Sequence, residues 1–143
     1  MKRLVILILM LTAITIDAQN VSIKNRNSIL GMLTQQQKCW NNGDINAYMS
    51  GYWNSDSLKF ITKTGITTGW NPTLEMYKKH YPDKEAMGTL FFEEINMMQM
   101  NCKTIFVMGK WTLQKTKEKV GGRFTLICKK IDGTWKIIID HTS

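Results

Sequence analysis

The sequence is poor in residues that bind metal ions, with three Cys and two His among 143 residues. Its cysteines, Cys39, Cys102 and Cys128, are far apart along the chain. None of them lies in the closely spaced pairs that are typical of zinc sites. We therefore predict no metal site, and no motif in the sequence indicates a cofactor.

Long apolar runs are also lacking, except near the N-terminus. Lys2 and Arg3 precede an apolar run of about thirteen residues from Leu4 to Ile16, and Ala18 then offers a small residue for cleavage. This order is typical of a secretory signal peptide, and the run is too short to span a bilayer comfortably. An uncleaved N-terminal anchor is the alternative.

Cleavage of residues 1–18 would leave one domain, residues 19–143, with no stable membrane anchor. We expect this domain to be secreted or periplasmic in a bacterium. We find no internal repeat, low-complexity segment or linker that would divide it further.

Acidic residues are few: eleven Asp and Glu stand against nineteen Lys and Arg, for a net charge of +8. Most of the basic residues in the C-terminal half alternate with apolar ones, which indicates the solvated face of a sheet. A nucleic-acid partner would require a basic face inside the cell, so we expect no nucleic-acid partner for an exported chain.

The order of patterns along the chain predicts an α+β fold. Helical periodicity covers residues 22–40, and Gly43 then Asp44 favour a helix stop followed by the N-cap of a second, short helix. A hairpin is predicted next, and Asn71 with Pro72 would begin a third helix that ends near His80. Four antiparallel strands complete the chain. The predicted hairpin covers residues 57–69, and the strands cover 89–100, 104–115, 121–130 and 134–142.

Strict alternation along these strands gives an inward face. The turns between them place Glu94, Trp111, Phe124 and His141 in one row across the sheet, and a slip of one residue would replace Glu94 by Glu93. A carboxylate and a histidine on that face are candidates for acid–base work or ligand contact, although three strand spacings separate them. A structural, hydrogen-bonded histidine is the alternative for His141.

Aromatic residues outside the strands form the second set of candidates. Tyr48 and Tyr52 share a helix face four residues apart, and Trp53 follows them. Trp70 and Tyr77 lie near the crossover from hairpin to third helix. These side chains either line a ligand pocket together with Trp111 and Phe124 or fill the core.

Taken in order, several segments resemble the SnoaL-like branch of the nuclear transport factor 2-like superfamily, a branch related to the association domain of calcium/calmodulin-dependent kinase II. The segments are "WNNGDINAYMSGYW", "LKFITKTGITTGW", "EMYKKHYP", "GKWTL" and "GRFTLICKKIDGTWKIIIDHTS". The resemblance covers roughly residues 22–143. It implies a cone-shaped, strongly curved antiparallel sheet of about six strands wrapped around three helices.

The resemblance implies three kinds of function. The first is non-catalytic binding of a small apolar or aromatic molecule. The second is an isomerase, dehydratase, cyclase or hydrolase acting on a carbonyl, lactone or epoxide compound through Glu94 (or Glu93) and His141. The third is an assembly module, since homodimers through the sheet are common in the superfamily. No residue pair matches a specific catalytic pattern.

Overall fold

The computed structural model describes residues 20–143, so the predicted signal peptide lies outside the described residues. Its helices come first and are interrupted by a hairpin, and four long strands follow. The helices are α1 (Ile23–Asn41), α2 (Ile45–Tyr48), α3 (Trp70–His80) and α4 (Lys84–Met87), with a 3₁₀ turn at Met49–Gly51. The strands are β1 (Lys59–Thr62), β2 (Gly65–Thr68), β3 (Thr89–Asn101), β4 (Thr104–Gln114), β5 (Lys119–Ile131) and β6 (Thr134–Thr142).

Local capping explains the break between α1 and α2. Gly43 adopts a left-handed conformation with φ 81° just beyond α1, and this conformation suits a glycine. The side chain of Asp44 then accepts a hydrogen bond from the backbone N–H of Ala47. The predicted helix stop and N-cap are therefore confirmed.

The start of α3 differs from the prediction. Asn71 does not cap this helix, because the helix begins one residue earlier, at Trp70, with Gly69 in the N-cap position. Gly69 has φ 100°, and its carbonyl accepts a hydrogen bond from the Thr73 hydroxyl at 2.8 Å. Pro72 accordingly occupies the first turn of the helix, where its missing N–H costs little.

The six strands form one curved sheet in the order β2-β1-β6-β5-β4-β3. The bounds of β3, β4, β5 and β6 match the prediction within two residues, a normal uncertainty for such boundaries. The α+β class and the six strands are confirmed. One pairing differs from the antiparallel prediction, because β1 runs parallel to β6, with Phe60 beside Asp140.

Two irregularities in the sheet reverse the predicted alternation. Between β5 and β6, Cys128 pairs with Ile137 and Ile127 pairs with Ile139. Ile138 of β6 is therefore an extra residue in a β-bulge. In β3, a second register shift follows Glu93, and Glu94 has φ 53°. Beyond each bulge, the side chains exchange faces.

No helix in residues 20–143 is both long enough and apolar enough to cross a membrane. The three cysteines are free thiols, with Cys39 and Cys128 buried and Cys102 exposed. The core lies between the helices and the concave face of the sheet, where it surrounds the cavity described next.

Candidate ligand cavity

A cavity of about 350 Å³ opens between the sheet and the helices. Such a volume lies at the lower end of the range for small-molecule sites. Nine aromatic side chains form most of its wall: Trp40, Tyr48, Tyr52, Phe60, Tyr77, Tyr81, Phe92, Trp111 and Phe124. Six aliphatic residues and seven polar or charged ones complete it: Leu33, Met76, Leu90, Leu113, Leu126 and Ile137, then Gln36, Thr62, Lys63, Thr64, His80, Asp140 and Thr142.

Three tyrosine hydroxyls meet at one wall of the cavity. Tyr48 is the last residue of α2, Tyr52 follows the 3₁₀ turn at Met49–Gly51, and Tyr77 comes from α3. Their oxygen atoms lie 3.3 to 3.5 Å from one another. These separations exceed the usual 2.7–2.8 Å of an O–H···O hydrogen bond, so the hydroxyls retain capacity for a stronger partner.

Asp140 closes the same cluster from β6. The hydroxyl of Tyr52 donates a hydrogen bond to Asp140 Oδ2 at 2.7 Å. The other carboxyl oxygen, Oδ1, is buried and has no hydrogen-bond partner among residues 20–143. A buried polar atom without a partner costs about 1–3 kcal/mol, so a molecule that supplied the missing hydrogen bond would be favoured.

Burial controls the protonation of this cluster. It raises the pKa of the Asp140 carboxyl from 3.8 to about 7, while the hydrogen bond from Tyr52 opposes part of the shift. Burial, reinforced by the Asp140 charge, also raises the pKa of Tyr48 to about 12. Burial is also the largest cause that raises the pKa values of Tyr52 and Tyr77 well above 10. Below neutral pH, the cluster is therefore a set of neutral O–H groups.

The opposite wall is an apolar aromatic surface. The rings of Phe92 and Phe124 meet edge to face, with centroids 5.4 Å apart. Gly109 lies beneath them, and a Cβ there would stand 2.4 Å from Phe124 Cζ and 2.7 Å from Ile95 Cδ1. The glycine therefore allows Phe124 to cross β4.

One part of the cavity wall is polar and reaches the surface. Thr62 ends β1, Lys63 and Thr64 form the turn to β2, and His80 ends α3. Nδ1 of His80 lies 2.8 Å from the carbonyl oxygen of Met76, which accepts a hydrogen bond from that nitrogen in the tautomer that protonates Nδ1. Within residues 20–143, no cluster of three or more His, Cys, Asp or Glu side chains is arranged to hold a metal ion.

Among solved structures, the chain is similar to an NTF-2-like protein of unknown function from Shewanella oneidensis MR-1. It is 40% identical, has a TM-score of 0.79, and the match covers 82% of this chain and 98% of that one. The chain belongs to the nuclear transport factor 2-like superfamily. The predicted superfamily is thus confirmed, while its SnoaL-like branch stays a prediction.

Two other members of the superfamily share the fold at low identity. A protein of unknown function from Pseudomonas putida KT2440 is 13% identical with a TM-score of 0.70, and the match covers 87% of this chain and 89% of that one. A superfamily protein from Salmonella enterica serovar Typhimurium is 17% identical with a TM-score of 0.70, covering 82% and 89%. No family model and no curated protein sequence matches the chain.

Five of the seven residues predicted to line a pocket do so in this nuclear transport factor 2-like domain: Tyr48, Tyr52, Tyr77, Trp111 and Phe124. Trp53 and Trp70 are not part of the cavity wall. The backbone N–H of Trp53 donates to the Ile137 carbonyl, and the indole N–H of Trp70 donates to the Met49 carbonyl. Both tryptophans therefore join the helical segments to their surroundings outside the cavity.

The predicted inward orientation of Glu94 and His141 is wrong. His141 is exposed, because the extra residue Ile138 turns Asp140 inward in its place. Glu94 is also exposed, and its Oε2 accepts a hydrogen bond from Arg123 at 2.6 Å, which lowers the pKa of Glu94. Glu93 is exposed too and lies 3.8 Å from the Lys110 ammonium, so neither predicted register brings a glutamate into the cavity.

Asp140 was not predicted as a site residue, because the alternation that turned His141 inward turns its neighbour Asp140 outward. A signal was available, since the three isoleucines at 137–139 interrupt the apolar–polar alternation and thereby indicate a bulge. Phe92 was not among the predicted site residues, although it lies two residues before Glu94 and the predicted alternation therefore also turned it inward. His80, at the end of α3, is exposed and also contributes to the cavity wall.

Proposed function

We propose that this domain binds a small, mainly apolar molecule that carries a carbonyl or hydroxyl oxygen. The apolar body would lie against the aromatic wall of Phe92, Trp111 and Phe124. Its oxygen would meet the hydroxyls of Tyr48 and Tyr77 beside Asp140.

One observation carries this proposal: an aromatic cavity converges on a buried group of four polar side chains whose hydrogen bonds are incomplete. The Asp140 Oδ1 atom has no partner, and the tyrosine oxygens are farther apart than in strong hydrogen bonds. A core that served only packing would be expected to satisfy such groups. Apolar walls with a few convergent polar groups are also the usual composition of a small-molecule site.

Native mass spectrometry of protein isolated from its own cells would test the proposal. We expect a retained small molecule in the wild-type protein and its loss in Leu126→Trp, where the larger side chain would occupy the cavity. Ile66→Trp is the matched control, because Ile66 is 65% exposed on β2 and is not part of the cavity wall. Absence of any retained molecule, together with no binding across a panel of aromatic ketones and alcohols, would refute the proposal.

A second candidate is acid–base catalysis on a carbonyl compound in the same cavity. The supporting observation is Asp140, whose pKa of about 7 suits proton transfer near neutral pH. Asp140 would then replace Glu94 and His141 in the predicted enzymatic role. Exchange of the α-protons of bound ketones with deuterated water would reveal such transfer, and an Asp140→Asn variant that exchanges at the wild-type rate would exclude it.

Export and dimerisation remain proposals that rest on other features. The N-terminal pattern of residues 1–18 supports export to the periplasm or outside the cell. Exposed apolar residues on the outer face of the sheet support a homodimer.

A further inference from the structure

A second depression, which we name the lysine groove, lies between α1 and the hairpin formed by β5 and β6. Its volume is about 460 Å³. Lys24, Ser28 and Met32 line it from α1, where their spacing of four residues places them on one helix face. Lys130, Trp135 and Lys136 line it from the hairpin.

The groove gathers positive charge without a compensating acid. Three lysines line it, and no Asp or Glu is among its lining residues. Within residues 20–143, none of the three ammonium groups forms an ion pair with a carboxylate. Asp132, in the adjoining turn, is exposed and leaves these lysines unpaired. Their mutual repulsion would be relieved by a bound anion.

Two of the lysines are held in place by the protein. The Lys136 ammonium donates to the carbonyl oxygen of Ser50 at 2.7 Å. The Lys130 ammonium lies 5.9 Å from the centroid of the Trp135 ring, a cation–π distance. An ammonium has three N–H donors, so each retains donors for another acceptor. Because these two ammonium groups are already held in place, less entropy is lost when a ligand binds them.

Trp135 provides the observation that separates this groove from an ordinary basic surface. Its side chain is 4% exposed, yet its indole N–H has no hydrogen-bond partner among the described residues. A buried donor without an acceptor is costly, which makes an acceptor in the groove favourable. Met32 adds an apolar surface beside it.

From these features, we infer that the lysine groove binds a small organic molecule through a phosphate group, with an apolar part against Met32 and Trp135. A phosphate monoester offers up to two negative charges and three acceptor oxygens, which matches several converging N–H donors. Arginine is absent from the lining, so the ammonium groups would act as point charges.

The lysine groove is distinct from the aromatic cavity, although the two share one wall. Gln36 lines both and is 2% exposed, and its Nε2 donates to the Tyr48 carbonyl at 3.2 Å. Gly51 accommodates this side chain, since a Cβ there would stand 2.5 Å from Gln36 Cδ. Phosphate binding in the groove can therefore be tested without assuming a ligand in the cavity.

The test is a titration of the protein with phenyl phosphate, followed by the NMR signal of the Trp135 indole N–H. Trp135→Phe assigns that signal. We expect phenyl phosphate to shift it and phenol to leave it unchanged. The double variant Lys130→Gln/Lys136→Gln should weaken binding by about tenfold or more, since hydrogen bonds to charged groups contribute strongly.

The control is Lys79→Gln/Lys119→Gln, which removes the same charge from two exposed lysines outside the groove. It should bind phenyl phosphate like the wild-type protein. Equal weakening in both double variants, or no shift of the Trp135 signal, would overturn the inference. If inorganic phosphate bound as tightly as phenyl phosphate, the inference that the ligand has an organic part would be overturned. Binding only to vesicles that contain phosphatidic acid would overturn it in favour of a membrane contact.

Discussion

At the residue scale, Asp140 carries the most unusual chemistry of the cavity. It is 6% exposed, and within residues 20–143 Tyr52 supplies its single side-chain hydrogen bond. Burial raises the pKa of the Cys128 thiol to about 12, and the charge of the nearby Asp140 carboxylate adds to this rise. Cys128 is therefore an unreactive thiol, and Asp140 is the group that titrates near neutrality.

The raised pKa of Asp140 predicts a pH dependence of stability. Between about pH 4 and pH 7, the folded protein keeps this proton while the unfolded chain has lost it, so the free energy of unfolding decreases as pH rises. The full effect is on the order of 4 kcal/mol, from a difference of about three pKa units. Urea unfolding across this range should show the decrease, relative to Asp140→Asn, which cannot titrate. Parallel pH profiles of the two proteins would contradict the prediction.

How far single residues could be predicted depended on the element that holds them. Tyr48 and Tyr52 were predicted as neighbours, because a helix brings residues four apart onto one face. Tyr77 followed from the third helix. The orientation of Asp140 and His141 was wrong, because a strand's alternation holds only until an extra residue is inserted.

At the scale of helices and strands, two bulges determine which side chains reach the cavity. The bulge at Ile138 turns Asp140 inward, and the irregularity after Glu93 leaves Glu94 outside with Arg123. Helix ends were easier to predict, because Gly43 and Asp44 act through local backbone and side-chain hydrogen bonds. A bulge instead depends on pairing with a strand distant in sequence, so local patterns indicate it only weakly.

Because Phe124 crosses over Gly109, a larger side chain at position 109 is expected to destabilise the fold. Gly109→Ala should destabilise the fold by about 1–3 kcal/mol, since the new methyl group would overlap Phe124 and Ile95. Gly31→Ala is the matched control. A Cβ at Gly31 meets no atom within 4 Å, and the change should stabilise α1 by about 0.5–1 kcal/mol. Thermal unfolding of both variants checks this, and a stable Gly109→Ala protein would show that the aromatic wall is less closely packed.

At the scale of the whole molecule, the order of predicted helices and strands was sufficient to predict the α+β class, and the resemblance of several segments indicated the superfamily. The curvature and register of the sheet were not predictable to one residue. Consequently, the predicted row from Glu94 to His141 does not exist: Trp111 pairs with Phe92 and Gly122, while Phe124 pairs with Gly109 and Thr142. The sequence therefore predicted the aromatic wall more reliably than the polar cluster.

The outer face of the sheet predicts self-association. Phe91 and Met108 are 43% and 42% exposed and alternate with residues that face inward. We expect a homodimer in sedimentation experiments and dissociation toward monomers in Met108→Lys, because twofold symmetry would bring the two new charges into one interface. Ile66→Lys makes the same kind of change on β2 and should leave the dimer intact. A wild-type protein that stays monomeric across a wide concentration range would refute this.

The central claim, that the cavity binds an apolar molecule through its oxygen, is tested most directly by calorimetric titration with 2-acetylnaphthalene and 2-ethylnaphthalene at pH 5. The two compounds have similar shapes and differ chiefly in the carbonyl oxygen. We predict that the ketone binds about five- to tenfold more tightly, as one net hydrogen bond allows. The preference should vanish in Tyr48→Phe/Tyr77→Phe and persist in Tyr81→Phe, which removes a hydroxyl outside the cluster. Equal affinities for both compounds in the wild-type protein, or binding of neither, would contradict the claim.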